Sequence, residues 1–242
     1  MIHVSQLTKM YGRVKAVDDL SFDVAPGEIV GLIGPNGAGK TSTLRCLVGI
    51  HKPSAGTITV GGHDIVNEPV DAKRAVAFMA DEPQLFEYLT VMEHLRLTGR
   101  IYQVADVERR AAALLEELQL TGREHLLPNE LSRGMKQKVA IACGLLHDPR
   151  ALLFDEPLTG LDPLGIRHMK ATIVARGREG AAVMVSSHLL HLVEEICTRI
   201  LIIHRGTKVA DGTLAELSAR ARVAGTGSVL EQIFLDVTAG PG

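Results

Sequence analysis

The chain has 242 residues, 46% of them hydrophobic and 22% charged, which is enough for one large globular domain with a buried core. A net charge of −2 and an aromatic content of 3% argue against a nucleic-acid partner, because the basic residues are spread throughout the chain and the aromatic residues are too few for a stacking platform. The longest uncharged apolar runs fall well short of the roughly 20 residues that a membrane-spanning helix needs.

Short strands are predicted along most of the chain. Near the N-terminus, alternating or apolar runs indicate strands of an antiparallel layer at residues 3–7, 17–24 and 57–60. Later strands are short and continuously apolar, at residues 29–33, 75–79, 151–154, 182–185 and 200–203. Helical patterns separate most of these later strands, so they predict a parallel sheet that is covered on both faces.

A block of helices is predicted between two of the core strands, over approximately residues 87–147. Its helices are expected at residues 90–102, 107–118 and 132–146. Thr90 and Glu93 form a capping box at the start of the first helix, and Asp106 is available to cap the second. The fold class is therefore α/β, with an inserted α-helical subdomain.

One main domain is predicted over residues 1–223, followed by a short C-terminal helical extension over residues 224–242. Four apolar residues of the extension share a helical face that is expected to pack on the main domain: Leu230, Ile233, Phe234 and Val237. Residues 240–242 are expected to be frayed.

The N-terminus and the cysteines favour a cytoplasmic protein. The first residues lack a basic leader followed by an apolar core, so secretion through a cleaved signal is not expected. The three cysteines are far apart and form no Cys-x-x-Cys pair: Cys46, Cys143 and Cys197. They are interpreted as small buried hydrophobes in a reducing compartment.

A phosphate-binding loop is the strongest motif. Eight residues fit the pattern G-x-x-x-x-G-K-[ST] between a strand and a helix, and Ser42 follows them: Gly34, Pro35, Asn36, Gly37, Ala38, Gly39, Lys40 and Thr41. Glycines let backbone N–H groups approach phosphate oxygens, and the helix adds its positive end. Lys40 is expected to contact the β and γ phosphates of ATP, and Thr41 to bind Mg²⁺.

A second chemical motif follows the apolar strand at 151–154. Asp155 and Glu156 end that strand, where Asp155 is expected to hold Mg²⁺ and Glu156 to polarise an attacking water. Alone, an Asp-Glu pair after a strand is common and weak evidence. Together with the phosphate loop, it indicates a nucleotide hydrolase.

The segment that distinguishes among nucleotide hydrolases runs from Leu131 to Gln137, with the sequence LSRGMKQ. It resembles the signature of ABC ATPases, and four of its residues are expected to contact the nucleotide of a second subunit: Ser132, Arg133, Gly134 and Met135. Ser132 is also a good N-cap for the following helix. The chain is thus identified as similar to the ATP-binding subunits of ABC transporters.

This resemblance covers nearly the whole chain and implies the ABC ATPase fold, a P-loop NTPase core with an inserted helical subdomain. Tyr11 resembles the aromatic residue that stacks on adenine. The segment 159–162 looks like the loop at the dimer interface, with Asp162 near the nucleotide. His188 looks like the histidine that contacts the γ-phosphate, which adds it to Lys40 and Glu156 as a catalytic residue.

Two positions depart from the family pattern. Asp81 stands where the family has Gln or Glu; it is a candidate Mg²⁺ ligand, but Glu82 or Gln84 could take the role. Arg133 replaces a glycine, and its cation is expected either to strengthen phosphate binding or, as we favour, to project into solvent.

The resemblance implies two ATP molecules bound between two head-to-tail ATPase subunits, which form a homodimer or a heterodimer. It also implies separate transmembrane permease subunits and a location on the cytoplasmic face of the membrane. Residues 229–238 resemble the ending of ABC-2 type export subunits. The alternative is a non-transport ABC ATPase that acts on ribosomes or DNA, or a nucleotide-regulated adaptor.

Overall fold

The computed structural model describes residues 1–159, 161–220 and 229–239, which form two β-sheets and a set of surrounding helices. In chain order the strands are β1 Ile2–Tyr11, β2 Val14–Val24, β3 Ile29–Ile33, β4 Ala55–Val60, β5 His63–Asp64, β6 Val76–Met79, β7 Ala151–Asp155, β8 Ala182–Ser186, β9 Arg199–His204 and β10 Thr207–Gly212. The α-helices are α1 Lys40–Leu47, α2 Pro69–Arg74, α3 Val91–Tyr102, α4 Val107–Glu117, α5 Arg133–Leu145, α6 Pro163–Arg178, α7 Leu190–Ile196, α8 Leu214–Arg220 and α9 Val229–Ala239.

The N-terminal strands form an antiparallel sheet with the order β2-β1-β4-β5. Its inward side chains are fully buried, since Ile2, Leu20 and Ile58 belong to one apolar cluster that also contains residues of the second sheet. The predicted antiparallel layer is confirmed. Strand β1 runs to Tyr11, beyond the predicted end at residue 7, because it continues to pair with β2 through several register shifts.

The second sheet has the order β10-β9-β3-β8-β7-β6 and is parallel except for the β9–β10 pair. Every residue of β3, β7 and β8 is buried, which explains their continuously apolar sequences. The predicted mainly parallel sheet is confirmed. Because β3, β7 and β8 are parallel neighbours, the segments that follow them all lie at one edge of the sheet.

The predicted helical block is present as α3, α4 and α5, between β6 and β7. The capping box is confirmed: the Glu93 N–H donates to Thr90 Oγ1 at 3.3 Å, and the Thr90 N–H donates to Glu93 Oε2 at 2.8 Å. The prediction that Asp106 caps α4 is wrong. Asp106 occupies the N-cap position with φ of 52°, but its side chain makes no capping bond and pairs with Arg109 instead.

Helix α9 packs on the main domain as its apolar face predicted. Leu230 and Ile233 are buried in a cluster with β3, β9 and α7, and Phe234 is partly buried there. The Leu230 N–H also donates to Glu194 Oε1 of α7 at 2.7 Å. The side chain of Val237 and residues 240–242 lie outside the described residues, and the domain boundary at 223/224 stays a prediction.

The three cysteines occur as free thiols in buried or half-buried positions. Burial raises the pKa of Cys46 and of Cys143 to about 11, and the pKa of Cys197 to about 12. Among the helices of the described ranges, none is long and apolar enough to cross a membrane.

Candidate nucleotide site

The phosphate loop joins β3 to α1 and depends on glycine where the sequence supplies it. Gly39, the N-cap of α1, has φ of 106°, and a side chain there would overlap the carbonyl oxygen of Ala16. A side chain at Gly34 would overlap the carbonyl oxygen of Ile203. No side chain caps α1, so the N–H groups of its first turn are available to a phosphate.

Lys40 is the first residue of α1 and is almost fully buried. Its Nζ donates to the carbonyl oxygen of Gly34 at 2.7 Å, which folds the side chain over the loop. Burial lowers the pKa of Lys40, while the nearby carboxylates of Glu156 and Asp155 oppose that shift. The ammonium group is therefore held against the backbone of the loop, and the two carboxylates are close enough to act on its charge.

Asp155 ends β7 and is buried at the sheet edge. Its Oδ1 accepts a hydrogen bond from Ser186 Oγ at 2.5 Å, since Ser186 is its register partner on β8. The same hydroxyl lies 3.2 Å from the Glu156 backbone nitrogen and accepts its N–H. Ser186 thus fixes both residues of the acidic pair.

Glu156 has a left-handed backbone with φ of 50°, an unfavourable conformation for a residue with a side chain. Its Oε2 lies 2.8 Å from Nδ1 of His188, and the His188 backbone N–H approaches the same oxygen at 3.4 Å. His188 is about half exposed and precedes α7. A carboxylate that can orient water is thus in direct contact with an exposed imidazole.

A cavity of about 520 Å³ brings together several predicted site residues. Its lining includes Thr41, Asp81, Asp155 and Glu156, and also Glu82, Gln84 and Arg45. A hydroxyl and carboxylates are the oxygen donors that Mg²⁺ prefers. Within the described ranges, no group of three or more His, Cys, Asp or Glu residues could hold a metal by itself, so a cation here would need phosphate oxygens and water as well.

The start of α5 lies outside this cavity. Ser132 caps the helix, with its Oγ accepting the Met135 N–H at 3.2 Å. The Arg133 side chain is 55% exposed, as we favoured, but it is also paired: its Nη2 lies 3.2 Å from Asp81 Oδ1. The two residues that depart from the family pattern therefore contact each other.

Comparison with known proteins identifies the family of this chain. A sequence model of the family described as ABC transporter matches residues 17–159. The ABC-type transporter ATP-binding protein EcsA of Bacillus subtilis is 36% identical over 240 residues, which cover 98% of this chain and 96% of EcsA. The chain belongs to the ABC transporter ATP-binding family. It is therefore an ABC ATPase that binds ATP.

The chain is also similar to a further relative in sequence and to a solved structure in fold. The Nod factor export ATP-binding protein I of Paraburkholderia xenovorans is 39% identical over 224 residues, covering 90% of this chain and 72% of that protein. A solved structure described as the ATP-binding subunit of an ABC transporter superposes with a TM-score of 0.92 at 34% identity, covering 98% of this chain and 99% of that one. The ABC ATPase fold predicted from the sequence is confirmed.

The other predicted site residues of this ABC ATPase lie apart from the cavity. Tyr11, at the end of β1, is 41% exposed, with the His51 ring edge-on at 5.6 Å and Lys9 Nζ 5.0 Å from its ring centre. Asp162 caps α6 by accepting the Gly165 N–H at 2.6 Å. Gly160, in the predicted interface loop, lies outside the described residues.

Sequence reasoning missed three residues that shape the site. Ser186 holds Asp155, and its signal was its place at the end of a buried strand. Arg45 lies four residues after Thr41 on α1 and lines the same cavity. Gln137 was quoted only as part of the signature, but it is buried and donates to the Pro157 carbonyl oxygen at 2.7 Å, which links α5 to the segment after the acidic pair.

Proposed function

We propose that this ABC ATPase powers a membrane exporter from the cytoplasmic face of the membrane. The observation that carries the ATP-driven step of this proposal is the meeting of Thr41, Asp155 and Glu156 in one cavity, beside a phosphate loop with a buried lysine. A relative of this chain is named for Nod factor export. The ending of the chain, which resembles ABC-2 type export subunits, supports the same direction of transport.

Each catalytic side chain has a proposed task. Lys40 and the first-turn N–H groups of α1 bind the β and γ phosphates. Glu156 orients and polarises the attacking water, and His188, in contact with it, senses the γ-phosphate. Thr41 and Asp155 would hold Mg²⁺, which would supply positive charge beside the phosphates. That Asp81 is a further Mg²⁺ ligand stays a prediction.

The proposed working unit is a head-to-tail dimer, either a homodimer or a heterodimer, with ATP at each interface. The supporting observation is that the two halves of the predicted site do not meet within one chain: Ser132 and Met135 lie outside the cavity of Thr41 and Asp155. A helix N-terminus such as that of α5 favours anions, so the partner's γ-phosphate suits it. Hydrolysis removes that shared ligand and lets the dimer open.

The permease subunits are proposed to dock at an apolar groove of about 610 Å³. The groove is lined by residues 48–50 and β6 of the core and by side chains of α3 and α5. Three large apolar side chains in its lining are more than half exposed: Ile50, Phe86 and Ile101. Exposed apolar patches of this kind mark interaction sites. Gln84 lines both this groove and the cavity that contains Thr41 and Asp155, so the docking surface and the nucleotide site share one loop.

Glu156→Gln tests the catalytic assignment. The amide keeps the size and one acceptor of the carboxylate but cannot act as a base, so we expect the variant to bind ATP, to hydrolyse it at least about a hundredfold more slowly, and to accumulate as a dimer. Phosphate release and sedimentation with ATP measure the two effects. Near-normal turnover would show that Glu156 is not the base.

The transport role needs a separate experiment. Affinity purification of this chain from detergent-solubilised membranes, followed by mass spectrometry, should recover a polytopic membrane protein in stoichiometric amount. Ile101→Asp, on the α3 side of the apolar groove, should reduce that recovery, while Val70→Asp, at a comparably exposed position on α2, should not. Recovery of ribosomal or DNA-bound proteins instead would keep the ATPase assignment and overturn the transport role.

A further inference from the structure

The ion pair between Asp81 and Arg133 connects two parts of the molecule that the sequence keeps 52 residues apart. Asp81 lies in the loop after β6 and lines the cavity of about 520 Å³ with Thr41 and Asp155, which is called the nucleotide cavity below. Arg133 is the first residue of α5, directly after the Ser132 N-cap. The pair therefore ties the exposed start of α5 to the nucleotide cavity of the same chain.

We propose that this pair is an autoinhibitory contact, in which Asp81 holds Arg133 away from the nucleotide of the partner subunit. The proposal rests on the proposed head-to-tail dimer, where the start of α5 faces the partner's γ-phosphate. Asp81 and that phosphate are both oxygen anions that attract the one guanidinium group of Arg133, and the contact of Nη2 with Asp81 holds this group on its own chain. Arg133 must leave Asp81 before it can bind the partner's ATP.

The exposure of the pair suits a contact that breaks in each cycle. The side chains are 42% and 55% exposed for Asp81 and Arg133, and exposed ion pairs change an equilibrium constant by only about 1.4-fold to 5-fold. A dimer breaks two such pairs, so the combined effect on the dimer dissociation constant is about 2-fold to 30-fold. The contact delays dimer formation without preventing it.

Asp81→Asn removes the charge that holds Arg133 and keeps the shape of the side chain. In a Glu156→Gln background that retains ATP, we expect the dimer dissociation constant to fall by about 2-fold to 30-fold, as measured by sedimentation at saturating ATP and Mg²⁺. If Asp81 acts chiefly as a Mg²⁺ ligand, the same substitution weakens the ATP-bound dimer. The sign of the change thus separates the two roles, and a weaker or unchanged dimer would overturn the proposal.

Two controls make the assignment specific to the pair. With Arg133→Gln already present, Asp81→Asn should have no further strengthening effect, because the group it releases is gone. Glu108→Gln breaks a comparable pair with Arg96, also 3.2 Å long and exposed, but within the helical block, and should leave dimer formation unchanged. Strengthening that persists in the Arg133→Gln background, or that Glu108→Gln reproduces, would overturn the proposal.

The same experiment distinguishes a failure of the proposed head-to-tail dimer from a failure of the autoinhibitory contact. If the Glu156→Gln chain with intact Asp81 forms no dimer with ATP, the head-to-tail mechanism is wrong, and the autoinhibitory contact falls with it. If that chain forms a dimer but Asp81→Asn does not strengthen it, only the role of the ion pair is wrong.

Discussion

Removal of the Ser186 hydroxyl tests whether a buried hydrogen bond organises the acidic end of β7. Ser186 Oγ donates to Asp155 Oδ1 at 2.5 Å and accepts the Glu156 N–H at 3.2 Å, and the residue is fully buried. In Ser186→Ala, the Asp155 carboxylate loses a donor at a position that is closed to solvent, since Ser186 is fully buried. Hydrogen bonds to charged groups are worth roughly 1.5–3 kcal/mol, so stability should fall by about that amount.

For a domain of this size, about 1 kcal/mol shifts the melting temperature by roughly 2–4 °C, so Ser186→Ala should melt roughly 3–12 °C lower. The variant should also need more Mg²⁺ for half-maximal ATPase activity, since Asp155 is no longer oriented. Thermal denaturation and a Mg²⁺ titration of phosphate release measure the two effects.

Ser187→Ala is the matched control. Ser187 is also buried, but its Oγ accepts the Leu189 N–H at 3.1 Å. Loss of such a neutral bond costs about 0.5–1.5 kcal/mol and should leave the Mg²⁺ dependence unchanged. Equal effects of the two substitutions on Mg²⁺ dependence would refute the assignment of Ser186.

Three further predictions concern the phosphate loop and the groove. Gly39→Ala should abolish ATP binding in a titration, because the added side chain would overlap the Ala16 carbonyl oxygen. Gly37→Ala has open space and a φ of 78°, so it should cost only about 1–2 kcal/mol of backbone strain and keep ATP binding measurable. Equal loss of ATP affinity in the two variants would contradict this prediction. Lys40→Met should raise the melting temperature near neutral pH, because burial lowers the pKa of Lys40 and makes its charge costly when folded. That gain should shrink as the pH rises towards 10.5, where the unfolded chain also loses the proton, and a constant gain would contradict it. His94→Leu removes the acceptor of the Phe86 N–H, 2.9 Å away, and should destabilise the chain by about 1–3 kcal/mol on thermal denaturation; unchanged stability would contradict it.

The elements that the sequence predicted best have local causes. The strands of the parallel sheet are continuously apolar because both faces are covered, and the start of α3 is fixed by Thr90 and Glu93 within one turn. The Asp106 cap failed for a local reason that the sequence does not carry. A left-handed backbone at Asp106 turns its side chain towards Arg109 instead of the first N–H groups of α4.

The parts of the site that the sequence missed depend on contacts between distant elements. Motif spacing identified Asp155 and Glu156, but only the strand register places Ser186 against them. Likewise, no local pattern indicates that Asp81 and Arg133 meet, because their contact depends on how α5 packs beside the loop after β6. Such contacts are set by tertiary structure, which short motifs do not encode.

Two contacts of α5 differ in a way that matters for the proposed cycle. Gln137 is buried and bonds to the Pro157 carbonyl oxygen, so breaking that bond would leave a buried polar group unpaired. The Arg133–Asp81 pair is exposed, and water can replace either partner at little cost. Gln137 therefore suits a link that persists through the cycle and carries changes near Glu156 to α5. Arg133 suits a link that is broken and re-formed, as its side chain leaves Asp81 for the partner's phosphate and returns. A single helix therefore combines a stable connection with a reversible one.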